Sequence, residues 1–193
     1  MRGVSDLVTP DDSEFVALAR QGDHRAFAEL VRRHQDRVFR FLLRMIGSRD
    51  EATDLTQDTF MKAYQALPGW RPEARFSTWL FQIARNAALD VLRRRGLAEF
   101  VPIEDALVVA DHAPTPEERL GISQRLRLLE HALAQLPADH REVLLLREIE
   151  DLSYAEIAVA LGVAEGTVKS RIARARAALI DTYRRDPGGH RDE

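Results

Sequence analysis

The chain has 193 residues, 45% of them hydrophobic and 31% charged, with a net charge of -3 and no cysteine. That balance excludes a chain disordered as a whole, a disulfide scaffold and a thiolate metal centre, and no run reaches the roughly 18 to 20 apolar residues that span a bilayer. The opening MRGVSDLVTPDD lacks the apolar core of a secretory leader, so a cytoplasmic protein with one core or two small ones is expected.

Apolar residues recur at helical spacing almost throughout and no stretch alternates as a strand does, so the fold is expected to be all-α. Thr9-Pro10-Asp11-Asp12 reads as a cap, a first-turn proline and first-turn acids, opening a helix that Gly22 stops. Asp23 caps a second helix through Phe27, Leu30, Val38, Phe41 and Met45 to Gly47. Ser48 with Glu51 has the spacing of a capping box for a third helix, which ends near Leu67. The loop PGWRPEAR (68–75) leads to a fourth, from about Ser77 to Arg95.

The stretch 96–115 is acidic, contains Pro102 and Pro114, and is expected to be a flexible linker. Thr115-Pro116-Glu117-Glu118 opens a fifth helix ending near Gln135, and Pro137 a sixth whose apolar stripe is Val143 to Leu146 and Ile149. Ser153 and Glu156 form a second capping-box pattern for a seventh helix, which stops at Gly162. The last helix runs from about Glu165 to Arg184, and 186–193 is expected to fray. The organisation is therefore two small helical domains, 10–95 and 116–185, joined by the acidic linker.

Charge is segregated along the chain. Residues 71–95 carry six arginines against Glu73 and Asp90, and 165–185 carry six Lys or Arg against Glu165 and Asp181. Residues 99–118 carry six acids and no Lys or Arg. Two modules that meet polyanions, separated by a piece that does not, are implied.

Residues 153–184 have the plan helix, glycine-containing turn, helix, which is that of a helix-turn-helix. At about 100° per residue, Val168, Ile172, Ala175 and Leu179 share one face of the last helix. Gly166, Thr167, Ser170, Ala173, Arg174 and Ala177 lie opposite, and Lys169, Arg171 and Arg176 flank them. Small residues with one guanidinium in the middle and cations at the edges suit a major groove and its phosphate walls. A solvated amphipathic helix would account for the charges, but not for the turn and the capped helix before it.

LPADHREVLLLREIEDLSYAEIAVALGVAEGTVKSRIARARAAL closely resembles the -35-reading region 4 of bacterial extracytoplasmic-function (ECF) sigma factors of the sigma-70 family. EATDLTQDTFMKAYQAL followed by FSTWLFQIARNAALDVLRR resembles region 2 of the same group, so the likeness covers about 13–95 and 116–183 in the family's order. It implies a protein that binds core RNA polymerase, at its β′ clamp helices and β flap, and promoter DNA. It also implies an anti-sigma factor as inhibitor, and neither cofactor nor membrane insertion.

Asp50, Asp54 and Asp58 fall at i, i+4, i+8, a ridge of like charges that costs helix stability unless a basic partner offsets it. The resemblance implies that Asp54, Gln57 and Asp58, with Asp50 and Glu51, contact core polymerase. It places the -10 reader at 68–94, where a flipped base needs a stacking surface, polar groups and cations. Trp70 is the candidate platform, Arg71 and Arg75 the charge, Asn86 the base-edge amide, and Arg85, Arg93 and Arg94 the phosphate contacts. Trp79 is expected to be structural. In region 4, Thr167, Ser170, Ala173 and Arg174 face the -35 bases, and Lys169 and Arg171 its phosphates.

A sigma-like decoy that sequesters an anti-sigma factor is the first alternative, but it should lose the cations of the last helix. An ordinary helix-turn-helix regulator is the second, and needs neither the acidic ridge nor the loop at 68–75. The six histidines show no metal-ligand spacing and no nucleophile arrangement stands out, so an enzyme is not expected.

Overall fold

A computed structural model describes residues 12–71, 74–96 and 116–185, with side chains from residue 125 onward in the last stretch. The first domain comprises α1 (Ser13–Arg20), α2 (His24–Ile46), α3 (Arg49–Ala66) and α4 (Phe76–Arg94). The second comprises α5 (Pro116–Ala134), α6 (Ala138–Leu144) with a π-helical turn over Leu145–Ile149, α7 (Tyr154–Leu161) and α8 (Glu165–Arg185). The described residues contain no strand. The cap expected at Thr9-Pro10, Pro72 and Glu73 of the loop, the linker beyond Gly96 and the tail at 186–193 lie outside the described residues.

The helix signals act largely as local chemistry dictates. Asp23 Oδ1 accepts from the backbone N–H of Arg25 (2.8 Å) and of Ala26 (3.1 Å), satisfying two orphan donors of α2. Gly47 ends that helix at φ 78°, a left-handed position that a Cβ disfavours. Ser153 and Glu156 complete a capping box, with Glu156 N–H on Ser153 Oγ and Ser153 N–H on Glu156 Oε2 (2.9 Å).

One expected capping box and one expected first-turn acid are put to other use. Ser48 Oγ accepts from Glu51 N–H at 3.5 Å, but the Glu51 carboxylate turns away to Arg95 at the end of α4, so the box at 48–51 is only half made. Asp12 caps nothing with its side chain; its carboxylate holds His34 Nε2 (2.6 Å) and Arg33 (3.3 Å), tying α1 to α2.

Leu30, Val38, Phe41, Leu42, Leu80 and Phe81 are at most 1% exposed and form the heart of the first domain. Val143, Leu146, Ile157, Val168 and Ile172, at most 2% exposed, form that of the second. Each such side chain contributes about 1.5–3 kcal/mol by leaving water.

The domains are not independent beads on a linker. α4 packs on α7, and α2 meets α5 and α6. Arg141 of α6, 2% exposed, donates to the carbonyls of Met45 (2.8 Å) and Arg44 (3.4 Å) at the end of α2. The same guanidinium donates to Leu136 (2.9 Å) and Ala134 at the end of α5. Carbonyls at helix C-termini carry partial negative charge and lack intrahelical donors, so one planar cation satisfies two helix ends at once.

Beyond α6 the backbone widens: Glu150 N–H reaches back five residues to Leu145 (3.0 Å), and Asp151 turns the chain at φ 53°. This brings the Glu150 carboxylate, 2% exposed, onto Arg37 of α2 at 2.9 Å.

Candidate nucleic-acid interface

α7 and α8 are joined through Gly162 at φ 66°, the conformation that lets the chain reverse tightly between them. Val168, Ile172 and Ala175 are buried, which turns Gly166, Ser170, Ala173, Arg174 and Ala177 outward and leaves Thr167 half-buried. Ser170 Oγ donates to the Thr167 carbonyl (3.0 Å) and Arg174 Nε to the Ser170 carbonyl (3.3 Å). Among the described residues Arg174 has no carboxylate partner, so its guanidinium projects free of an acid.

The flanking cations are held by acids. Lys169 lies 2.8 Å from Glu165, which raises its pKa above the ordinary lysine value, and Arg176 lies 2.6 Å from Glu148, which does the same for the guanidinium. Arg171 is half-buried, 3.9 Å from Glu142 of α6. The helix begins at Ala164, whose carbonyl accepts from Thr167 (2.9 Å) and Val168 (3.2 Å), but whose side chain can cap nothing.

In the first domain the loop and the start of α4 carry an aromatic cluster. Trp70 stacks on Trp79 with centroids 5.1 Å apart and planes 25° apart, and meets the edge of Phe76 at 6.2 Å. Phe76 in turn packs on the buried ring of His34 at 5.6 Å. Trp70 is thus braced from one side and half-buried. Arg71 and Asn86 are exposed, and Asn86 Oδ1 accepts from Arg85 (3.2 Å). Arg93 pairs with Asp90 at 3.1 Å, and Arg94 donates to the Asp90 carbonyl at 3.2 Å, both at the exposed end of α4.

Two arginines of this surface are engaged across the domain boundary. Arg85 donates from Nε and Nη2 to Glu142 at 2.7 and 3.2 Å, and Arg75 lies 3.4 Å from Glu156. Arg85, expected among the phosphate contacts, is 17% exposed and already spans a carboxylate.

On α3, Asp50, Asp54, Gln57 and Asp58 are exposed. Leu55, Thr59, Phe60 and Ala63 are buried against the domain core. Glu51 stands apart from the ridge, because Arg95 draws it toward α4.

Sequence reading overlooked the acids that meet these arginines. Glu142 and Glu150 are 1% and 5% exposed, although they lie in the apolar-rich run REVLLLREIE. Acids beside so continuous an apolar stripe are a signal for paired burial, because an isolated buried carboxylate is too costly to keep. Burial pushes the Glu150 pKa up, against the opposing pull of Arg37. Burial also raises that of Glu156, but hydrogen bonds from Ser153, with Arg75 and Thr78 nearby, outweigh it and hold the group below its ordinary value. Among the described residues no group of three His, Cys, Asp or Glu could hold a metal, and no helix is long and apolar enough to cross a membrane.

Comparison with known proteins covers both domains. The sigma-70 region 2 family matches residues 30–97, and the sigma-70 region 4 family residues 126–179. The ECF RNA polymerase sigma factor SigE of Mycolicibacterium smegmatis is 39% identical over 183 residues, covering 92% of this chain and 71% of that one. The RNA polymerase sigma-H factor of Pseudomonas aeruginosa is 38% identical over 181 residues, covering 90% and 94%.

Among solved structures, a chain of the complex of CnrH with the cytosolic domain of CnrY superposes with a TM-score of 0.69 at 30% identity, covering 91% of this chain and 99% of that one. A chain of the complex of the sigma factor RpoE with the anti-sigma factor NepR, from Bartonella quintana, gives 0.65 at 28%, covering 83% and 98%. The matched regions follow the order of the two helical domains, and the relatives span nearly the whole chain: it belongs to the extracytoplasmic-function group of the sigma-70 family of RNA polymerase sigma factors.

Proposed function

We propose that this sigma factor docks core RNA polymerase through Asp54, Gln57 and Asp58 of α3, with Asp50 beside them. It sets α8 in the -35 major groove and receives the melted -10 strand on the Trp70 loop and α4. The carrying observation is the outward face of α8: Ser170, Ala173 and Arg174 stand exposed between cations, on a helix whose other face is buried. Small side chains let the backbone approach the base edges while one guanidinium reaches in, and the flanking cations meet phosphates.

The stacked Trp70 supports the strand-reading part. A flipped base needs a rigid aromatic face with cations nearby, and Trp79 fixes that face while Arg71 remains exposed. A sigma factor catalyses no reaction of its own; the energy it contributes is binding energy placed at two promoter elements. The work is done in the cytoplasm, where core polymerase is. By the likeness to the RpoE chain bound to NepR, an anti-sigma factor holds this chain inactive until released.

Run-off transcription with purified core polymerase on a promoter library tests the reading. Promoter-specific transcripts are expected, with both elements recoverable from the selected templates. Core binding without any transcript would favour a decoy, and DNA binding without core binding an ordinary regulator.

A further inference from the structure

His34 is 3% exposed in the core of the first domain, and among the described residues its Nδ1 has no hydrogen-bond partner. A leucine or phenylalanine would fill the same space without burying that nitrogen, and an unpaired buried polar atom costs stability. What neither offers is an anchor. His34 Nε2 donates to Asp12 Oδ2 at 2.6 Å, and Arg33 holds the other carboxylate oxygen at 3.3 Å. A carboxylate only accepts, so the proton of this bond sits on Nε2 and the imidazole has one settled orientation between α1 and α2.

That ring is the base of an aromatic stack that ends at the Trp70 platform. Phe76, 4% exposed, lies against His34 with centroids 5.6 Å apart. Phe76 then meets Trp79 at 5.8 Å and the Trp70 ring edge-on, at 6.2 Å and 84°. Trp70 follows the short turn Leu67–Gly69 and belongs to no helix, so ring contacts set the plane of its indole. We propose that His34 is a positioning residue for strand reading: fixed by Asp12, it sets the Phe76 ring, and Phe76 with Trp79 sets the plane that Trp70 offers to a base. The proposal rests on the -10 assignment under the proposed function. Loose rings would still fill the core, but a stacking face that rocks holds a flipped base poorly.

The chain has two tryptophans, Trp70 and Trp79, so the near-ultraviolet dichroism of its indoles reports on this platform alone. His34→Leu fills a similar volume and loses the anchor. Asp12→Ala removes the anchor without touching the core volume. His34→Gln places an amide N–H near the site of Nε2 and can keep the bond to Asp12. In H34L and D12A the indole dichroism should diminish. A -10 single strand taken from the run-off selection should bind each variant, in complex with core polymerase, about tenfold more weakly, part of the worth of one base stack. The charge change in D12A alone predicts the reverse, since losing an acid favours binding to a polyanion. H34Q should regain most of both values. Because H34L also removes the unpaired Nδ1, its urea midpoint should not fall.

Unaltered indole dichroism, or unaltered strand affinity, in folded H34L and D12A overturns the proposal. So does a loss of affinity that only tracks a lowered urea midpoint, which marks His34 as ordinary core, or a failure of H34Q to regain either value. D12A decides the matter if H34L does not fold, and loss of the fold in both marks the pair as structural and overturns it too. Trp70→Ala separates this proposal from the reading beneath it. If W70A binds the strand as tightly as the unsubstituted chain, the -10 assignment itself falls and takes the positioning role with it. If W70A weakens binding while H34L and D12A do not, the positioning role alone falls.

Discussion

The Arg141 guanidinium lies 2.8 Å from the carbonyl oxygen of Met45, so a side chain of the second domain closes the last turn of a helix in the first. The same group satisfies Leu136 and Ala134 within its own domain. Burial pushes its pKa down to about 10, which still leaves it charged at neutral pH. Arg141→Ala orphans carbonyls at two helix ends, and a buried unsatisfied acceptor costs about 1–3 kcal/mol. A loss of about 3 kcal/mol is expected in urea unfolding, with the domains melting as two separated transitions in place of one. An unaltered single transition would show that Arg141 does not bridge the helices in solution.

Glu150 supplies a pH dependence of unusual sign. Its folded pKa is raised, chiefly by burial, so the folded chain binds this proton more tightly than the unfolded one. Stability from this group is therefore present below the ordinary carboxylate pKa and lost as pH rises through the folded value. Glu150→Gln removes the titration and keeps an acceptor for Arg37. The stability of E150Q relative to the unsubstituted chain should improve as pH rises from about 4.5 toward neutrality, measured by urea unfolding at each pH. Glu156 titrates with the opposite sign but is common to both proteins and cancels in the difference. A difference that is flat with pH would mean that Arg37 fully compensates the buried charge.

The start of α8 can be strengthened. Ala164 provides only its carbonyl to Thr167 and Val168, and a hydroxyl at that position would reach the free N–H groups of the first turn. Ala164→Ser should stabilise the second domain by about 1 kcal/mol, read as a shift in its denaturation midpoint. No shift, or a lower midpoint, would show that the first turn is already satisfied.

Local signals were legible because they act over a few residues. Asp23, Gly47, Ser153 with Glu156, and Gly162 cap or stop their helices where the sequence places them. The buried stripe of α8 followed from helical spacing alone. What the sequence concealed was contact between segments distant along the chain. Glu51 has capping-box spacing, yet Arg95, 44 positions away, competes successfully for its carboxylate. Asp12 reads as a first-turn acid, yet its carboxylate is taken by His34 and Arg33. Arg85 belongs to a run of cations that reads as a phosphate surface, and only the fold reveals that Glu142 holds it. Charge counts along the chain identify basic segments, but not which of their members are already paired.

The ridge on α3 makes a sharp prediction for polymerase docking. Asp54 and Asp58 are exposed one turn apart, and their mutual repulsion costs the helix a few tenths of a kcal/mol. Asp54→Lys with Asp58→Lys should leave the helical circular dichroism spectrum intact and abolish pull-down of core polymerase. Retained pull-down would remove α3 from the docking surface.

Arg174 and Lys169 separate base reading from phosphate attraction on one helix. Arg174 has only the Ser170 carbonyl as a hydrogen-bond acceptor among the described residues, so its guanidinium can turn to a base edge at little cost. Lys169 sits on the flank, 58% exposed and held by Glu165, where it meets a phosphate wall. Arg174→Ala should cost about 1–3 kcal/mol of discrimination between matched and altered -35 duplexes, while affinity for unrelated duplex falls much less. Lys169→Ala should weaken every duplex alike and reduce the slope of log affinity against log salt by about one. Competition binding at several salt concentrations measures both. If R174A lowers affinity uniformly with a reduced salt slope, Arg174 is a phosphate contact and the base-reading face must be redrawn around Ser170 and Ala173.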